Sequence, residues 1–462
     1  MAKKGQELTL EEKLEQALVP AEEQPYEVPE NWCWVRLGDL YNINPKTEAD
    51  DEMPAAFIPM EKIEAGLINS YTYDIQEWAK AKKGHTRFQD GDVAFAKISP
   101  CFENRKSMIL NSLPSGVGGG TTELIVLRSK VVLPRFTFWL VSTEDFIIGG
   151  KQTYSGTVGQ QRISMDYVKK YHVPLPPLAE QQRIVDRIES LFAKLDEAKE
   201  KIQNVLDESE NRKNAILHKA FTGELTQKWR MKHGVELASW ELKRISDVTR
   251  PRAGYAFDSK KFTNQGYQVI RMGNLYGENL DLSRSPVFIA QEDVNEDVLE
   301  RALIHSGDIL ITLTGTKYKR DYGYAVQIIG ESKLLVNQRI LCLSPLENIE
   351  SEYLLYYLHS DVFRDIFFSN ETGGVNQGNV SSKFVEGIEI NLPCKDEQRV
   401  IASMLNMLMD KEKNIIELAT DVIKNVDIIK KSILAKAFRG ELGTNDSSDE
   451  SAIELLKNVL EA

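Results

Sequence analysis

Leu175-Pro176-Pro177-Leu178-Ala179-Glu180-Gln181-Gln182-Arg183-Ile184-Val185 opens a stretch that closes on Ala220-Phe221-Thr222-Gly223-Glu224-Leu225. Leu392-Pro393, Glu397-Gln398 and Ile401 open a second stretch, which closes on Ala437-Phe438-Arg439-Gly440-Glu441-Leu442. The two copies align without a gap at an offset of 217 residues. Solenoid units repeat at roughly 20–50 residues, so a period this long belongs to a whole module: a domain followed by a long helix. Such a duplication suits two related surfaces placed about a pseudo-twofold.

Between the two ends of each copy the apolar residues have helical spacing. In the first they are Ile184, Ile188, Leu191, Leu195, Ala198, Ile202, Val205 and Ile216, with Ser209 and Arg212 interrupting. In the second they are Ile401, Leu405, Leu408, Ile415, Ala419, Val422, Val426, Ile429 and Ile433, with Glu412 interrupting. Steps alternating between three and four residues make a heptad seam. A helix of about 42 residues would span roughly 63 Å. Pro176 and Pro177 precede the first helix, and Gly223 is placed to close it. Two seams in one chain are most simply buried against each other, antiparallel.

Around the helices, short apolar runs alternate with Gly, Asn, Asp and Pro. Phe57-Ile58-Pro59-Met60, Val93-Ala94-Phe95-Ala96 and Leu124-Ile125-Val126-Leu127 have the composition of strands. Phe136 to Ile148 is expected to be one helix, followed by a polar loop from Gly149 to Arg162. The second half repeats this order. Trp240 to Val248 matches Trp32 to Leu40, Gly307-Asp308 matches Gly91-Asp92, and Val375-Asn376-Gln377 matches Val158-Gly159-Gln160. The fold class is α+β, with two mixed α/β domains separated by an antiparallel coiled coil. The expected segments are an N-terminal helical arm over 1–26, with Leu10, Leu14 and Leu18 on one stripe, and a first domain over 27–174. A long helix over 175–225, a second domain over 226–391 and a second long helix over 392–442 follow. An acidic linker and a short amphipathic helix carrying Ile453, Leu456 and Leu460 occupy 443–462.

The chain has 462 residues, enough for two or three domains with cores. No apolar run reaches the roughly 18 residues of a membrane span, and the start lacks an apolar leader. Four scattered cysteines without a CxxC pair fit a reducing cytoplasm. The net charge of −12 argues against indiscriminate coating of nucleic acid, but acidic helices can carry that surplus while loops remain basic.

Catalytic signatures are absent. No phosphate loop precedes a Lys-Ser/Thr pair, and the six histidines lack triad-like neighbours. Gly116, Gly118, Gly119 and Gly120 imitate a dinucleotide fingerprint only superficially and are expected to form a flexible loop. No Asn-Pro-Pro-aromatic tetrad that could hold a flipped base is present. The chain is therefore expected to be non-catalytic, with no resident cofactor or metal.

What remains suits DNA. The loop from Thr153 to Arg162 offers Gln160, Gln161 and Arg162, and its counterpart from Thr372 offers Asn376, Gln377 and Asn379. Amide side chains can bond adenine edges and guanidinium groups guanine edges, each with two hydrogen bonds. Basic clusters follow each Gly-Asp pair: Lys97, Arg105 and Lys106 in the first half, and Lys317, Lys319 and Arg320 in the second. Arg250 and Arg252, with Lys260 and Lys261, add a third basic loop. Such groups are expected to meet phosphates and set register.

Taken together, the duplicated Leu-Pro…Glu-Gln openings, the Ala-Phe-X-Gly-Glu-Leu closings and the run Gly91-Asp92-Val93-Ala94-Phe95-Ala96-Lys97-Ile98-Ser99-Pro100 resemble the specificity subunits of type I restriction–modification systems. Pro393-Cys394-Lys395 departs from the usual Pro-Pro-Leu opening. The resemblance implies that the globular domains are target recognition domains, each reading half of a bipartite, asymmetric double-stranded DNA site. The helices would set the spacer and dock two modification subunits. Those partners would carry S-adenosylmethionine and methylate adenine, and restriction subunits would add ATP- and magnesium-dependent translocation and cleavage. Two other readings are a specificity subunit of a methylation-only system and a tandem scaffold that binds only proteins.

Overall fold

The computed structural model describes residues 9–461, excluding 130, 158, 331–332 and 375–376. The chain divides into two compact units. One is Met1–Ile202 with Asp421–Ala462, and the other is Gln203–Thr420. Both boundaries fall inside long helices, Leu178–Asp207 and Lys395–Ala437. Each unit thus owns the start of one long helix and the end of the other, so the helices belong to the two cores.

The first unit contains two four-stranded sheets. One runs in the order Asn42–Ile43, Leu124–Arg128, Val93–Ala96, Ser107–Ile109, all antiparallel. Its central strands are apolar from Val93 to Ala96 and from Leu124 to Leu127 because both faces are covered. The other sheet pairs Pro54–Ile58 in parallel with Val117–Gly120, flanked by Asp74–Glu77 and Thr86–Gln89. Of the glycines expected in a flexible loop, Gly118, Gly119 and Gly120 are in fact in this buried strand, and Gly116 lies in the turn before it. A Cβ at Gly119 would lie 2.0 Å from the Ala81 carbonyl oxygen, and one at Gly118 would lie 2.3 Å from the Phe88 ring. They are glycines because the neighbours approach so closely.

Two further expectations need correction. The helix expected from Phe136 to Ile148 is two helices, Pro134–Val141 and Glu144–Gln152. Thr143 separates them and caps the second, its hydroxyl accepting from the Phe146 N–H. The loop that follows accordingly starts later than Gly149. The second concerns extent: within the arm expected over 1–26, the described helix is Leu10–Ala17. Leu14 packs on the first core, as does the C-terminal helix Ala452–Glu461 through Ala452 and Leu456, and the Lys13 ammonium bonds the Leu460 carbonyl.

The second unit repeats the plan. Thr249–Ala253, Ile340–Pro345, Ile309–Thr312 and Ala325–Gln327 form its antiparallel sheet. Tyr267–Ile270 pairs in parallel with Leu334–Val336 in the other. In both units a short strand leads into the domain and pairs with the strand that leaves it, Cys33–Arg36 with His172–Leu175 and Glu241–Arg244 with Glu389–Leu392.

The repeated Glu-Gln pair explains how each domain is fastened to the helices. Glu180 is fully buried and accepts from Trp32 Nε1 at 2.7 Å, Asn445 Nδ2 at 2.9 Å and Thr444 Oγ1 at 3.2 Å. Glu397, equally buried, accepts from Arg230 Nη1 at 2.6 Å, Thr226 Oγ1 at 2.7 Å and Trp240 Nε1 at 2.9 Å. A buried carboxylate persists only when its lone pairs are used, and here three donors come from two distant segments. The neighbouring glutamines bind backbone. Gln181 accepts from the Leu133 N–H and donates to the Pro176 carbonyl; Gln398 does the same with Glu350 and Pro393.

Within each unit the helix segments run antiparallel. In the first, Lys430 pairs with Asp196 at 2.5 Å and Lys199 with Asp427 at 3.8 Å. In the second, Arg212 pairs with Glu412 at 3.0 Å and also bonds the Val205 carbonyl, beside the single irregular residue Glu208. The buried phase differs from the expected one at alternate positions. Ile184, Ile188, Ile401, Leu405, Ala419 and Val426 are buried on it, Leu191, Leu195, Ile202, Ile216, Leu408 and Ile433 are half-buried, and Ala198, Val205, Ile415, Val422 and Ile429 are exposed. Phe192, Leu206, Ile423 and Lys430 are the more buried neighbours. Charge hid the true phase. Lys430 is 8% exposed because Asp196 takes its ammonium and its head lies 5.0 Å from the Phe192 ring centroid.

Glu397→Ala would strand Arg230, whose side chain is 7% exposed, without its counter-charge. Loss of one partner of a buried pair typically costs about 3–5 kcal/mol. Urea unfolding should show that loss, whereas Glu197→Ala, in an exposed pair with Lys201, should cost under about 0.5 kcal/mol. Equal effects would mean that the buried carboxylate is not the fastening.

Candidate nucleic-acid interface

Three segments of the first unit meet through backbone bonds. The Lys97 N–H donates to the Glu123 carbonyl at 2.8 Å, the Ile163 N–H to the Lys97 carbonyl at 3.0 Å, and the Ser99 N–H to the Gln161 carbonyl at 2.8 Å. This brings Lys97 beside Gln160, Gln161 and Arg162, which lie far from it in sequence. Arg162 is gripped by Glu123, with Nε to Oε2 at 2.9 Å and Nη2 to Oε1 at 2.7 Å, and its Nη1 donates to the Gln160 carbonyl. These hydrogen bonds, with the charges of Arg162 and Lys97, hold the Glu123 carboxyl below the usual carboxylate range despite partial burial. Gln160 is exposed and Gln161 half-buried. Gly156, at φ +110°, makes the turn that returns the loop.

The second unit builds the same junction. The Leu313 N–H donates to the Arg339 carbonyl at 3.0 Å and the Val380 N–H to the Leu313 carbonyl at 2.9 Å. Thr314 and Gly315 pair with Asn379 and Gly378. Lys317 donates to the Gly373 carbonyl at 2.9 Å, and Tyr322 and the Tyr318 N–H donate to Glu371. Gln377 is exposed, and Asn376 lies outside the described residues. Lys319 is exposed; Arg320 reaches Asp365 at 2.6 Å and lies over the Phe368 ring.

Three basic residues expected at phosphates have internal partners instead. Arg105 pairs with Glu144 and donates to the Ser142 carbonyl. Lys106 donates to the Met60 carbonyl at 2.8 Å. Arg252 bonds Asp308 at 2.6 Å and the Leu303 carbonyl at 2.6 Å. In sequence a cation serving a buried carbonyl or carboxylate has the same composition as one facing solvent. The Gly-Asp pairs are structural for a related reason. Gly91 and Gly307 adopt φ +87° and +92°. The aspartates after them are buried, accepting from the Gln89 and His305 N–H groups and binding Arg128 and Arg252. Arg250 is exposed opposite Ser344, at the end of its ladder away from Arg339. Lys261 pairs with Asp293, and Lys260 is exposed.

The sequence reading missed Glu123 and a cleft of about 490 Å³ in the second unit, lined by Arg271, Arg284, Gln338 and Arg339 together with Phe257, Phe262 and Met272. Asn274 builds its wall, accepting from the Arg271 N–H and donating to the Asp281 and Arg284 carbonyls. The signal was the shared turn before the strands at Leu124 and Ile340. Its side chains differ so much between the halves that only the hydrogen bonds reveal the correspondence. Among the described residues, no group of three His, Cys, Asp or Glu is arranged to hold a metal ion, and no helix is long and apolar enough to cross a membrane.

Two copies of one mixed α/β plan, each locked to long helices and each presenting one polar junction of loops, define a duplicated two-domain scaffold. The comparisons with known proteins agree. Residues 29–208 and 238–424 both match the family described as the type I restriction modification DNA specificity domain. The chain is 27% identical to the type I restriction enzyme EcoEI specificity subunit of Escherichia coli, over 81% of this chain and 77% of that protein. It is 26% identical to the EcoAI specificity subunit of the same species, covering 87% and 82%. In fold it is similar to the HsdS subunit from Thermoanaerobacter tengcongensis, with a TM-score of 0.66 at 20% identity, over 91% of this chain and 99% of the other. The chain belongs to the type I restriction–modification specificity family.

The corrected contacts change what mutation should do. Arg105→Ala should lower the stability of the first unit by about 1–3 kcal/mol, because it takes the guanidinium from the Ser142 carbonyl and leaves Glu144 with Lys431 alone. Gln160→Ala, at an exposed position, should stay within about 0.5 kcal/mol of the parent. Thermal unfolding distinguishes them; a neutral Arg105→Ala would return that residue to the list of phosphate contacts.

Proposed function

We propose that each unit reads one half of a bipartite, asymmetric double-stranded DNA site through its junction of loops, and that the chain itself performs no chemistry. The observation that carries this is one backbone frame bearing different side chains. The same hydrogen bonds place Lys97, Glu123 and Arg162 in the first unit and Leu313, Arg339 and Asn379 in the second. A constant frame with varied polar tips is what two different half-sites require. Gln160, Gln161, Arg162, Gln377 and Asn379 are proposed to face base edges. Lys97, Lys317, Lys319 and Arg320 are proposed to stand nearer phosphates.

The helices are proposed to fix the spacer between half-sites and to dock two modification subunits. Exposed apolar side chains support docking: Ile415 and Leu418 in the second unit, and Val422 and Ile429 in the first. Single exposed apolar residues are ordinary, but a helical stripe of them fits a partner helix. S-adenosylmethionine would then belong to the modification subunits and ATP with magnesium to restriction subunits, all acting on DNA in the cytoplasm.

Replacing residues 27–174 with the corresponding segment of a relative should change one half of the methylated motif and leave the other half unchanged. Mapping methyladenine across the genome of a host expressing the swapped chain with its modification subunits checks this. A swap that alters both halves would refute independent readout.

A further inference from the structure

We infer that Arg339 is a specificity-determining residue of the second unit, reading a guanine from the position at which the first unit carries the carboxylate Glu123. The inference rests on the proposed half-site readout and names one of its residues.

The equivalence of the two positions is geometric. Each lies in the turn that links a parallel strand, Val117–Gly120 or Leu334–Val336, to the central strand of the other sheet. The turns close alike, with Leu124 N–H to the Thr121 carbonyl and Ile340 N–H to the Asn337 carbonyl. Each is entered by the same cross-sheet bond, Thr121 N–H to Ile58 and Asn337 N–H to Ile270. Each then gives its carbonyl to the residue that also receives the recognition loop, Glu123 to Lys97 and Arg339 to Leu313. By these bonds Gln338 stands where Thr122 does, and Asn379 where Arg162 does.

The charges at the paired positions differ. In the first unit the carboxylate sits in the turn and the guanidinium in the loop, and they neutralise each other. In the second the guanidinium sits in the turn, and the loop position holds an amide. Arg339 and Gln338 are both exposed and line the cleft with Arg271 and Arg284. The turn itself is rigid. Gly254 passes so close that a Cβ there would lie 2.0 Å from the Asn337 carbonyl oxygen, and Tyr255 brackets the turn with bonds to Val336 and Gln338. A guanidinium on a fixed turn can make the two parallel bonds to O6 and N7 that distinguish guanine in the major groove. Nearby cations that reach phosphates supply affinity without choosing a sequence.

The test uses the whole chain expressed with its modification subunits, with methyladenine mapped across the host genome. If the parent chain gives no bipartite methylated motif, the proposed function itself fails, independently of Arg339. Given a bipartite motif, the half-site changed by swapping residues 226–391 should contain a guanine. Arg339→Ala should reduce discrimination at that base by on the order of 5- to 150-fold while the other half-site stays unchanged. Arg339→Gln should shift preference there towards adenine, and Arg339→Lys should not restore the parent selectivity. The intact first half-site reports that each variant is folded. An unchanged motif, an equal decline at all sites, or loss of methylation in all three variants would overturn the assignment.

Discussion

Everything in this molecule hangs on two carboxylates that water never reaches. Glu180 and Glu397 stand in the first turns of the two long helices, and each is satisfied by an indole N–H from the start of its own domain. The remaining donors come from the segment that follows the end of the other helix: Thr444 and Asn445 for Glu180, Thr226 and Arg230 for Glu397. One side chain therefore joins three stretches of chain, and an apolar substitute would join none by direction. The second site adds a buried cation, while the first uses neutral donors and leaves Arg183 to Asp449 and the Thr444 carbonyl. Packing then fills in around the anchors. Ile184, Val185 and Ile188 share a core with Leu434 and Phe438, and Ile401 and Leu405 share one with Leu217 and Phe221.

With the frame so held, the loops at the domain junctions are free to differ. The same backbone bonds set where the turn at Glu123 or Arg339 meets the loop at Arg162 or Asn379, and the first unit adds a side-chain ion pair across it. Side chains there can differ in charge without disturbing the sheet beneath. This division of labour accounts for helices that keep their register across the duplication while the domains diverge, and it suits a protein whose family is defined by DNA specificity.

The duplication, the long helices and the strands at Val93–Ala96 and Leu124–Arg128 were legible in the sequence because apolar periodicity and repeated motifs encode them directly. The heptad phase was not. Two adjacent stripes are apolar, and the buried one includes Glu412 and Lys430, which became admissible only through Arg212 and Asp196. The glycines of Val117–Gly120 looked like a loop because the close neighbours that require them come from distant segments. Lys97 and the Gln160–Arg162 loop were singled out by composition, and the fold brings them together, but Arg105, Lys106 and Arg252 were not separable from them. A basic residue records its charge in the sequence and its partner only in the fold. Glu123 and Arg339 escaped notice because their correspondence is carried by backbone bonds, which leave no trace in side-chain identity.

The central claim is that the anchored helices set the distance between two independently read half-sites. Its most direct test lengthens both helices by four residues, at 202/203 and 420/421, where the chain passes from one unit to the other. Four helical residues add about 6 Å and turn about 40° beyond a full rotation. One base pair adds about 3.4 Å and turns about 35° in the same sense. Methyladenine mapping should then find both half-sites unchanged and the spacer longer by one or two base pairs. Methylation that persists at the original spacing, or half-sites that change with the spacer, would contradict the account.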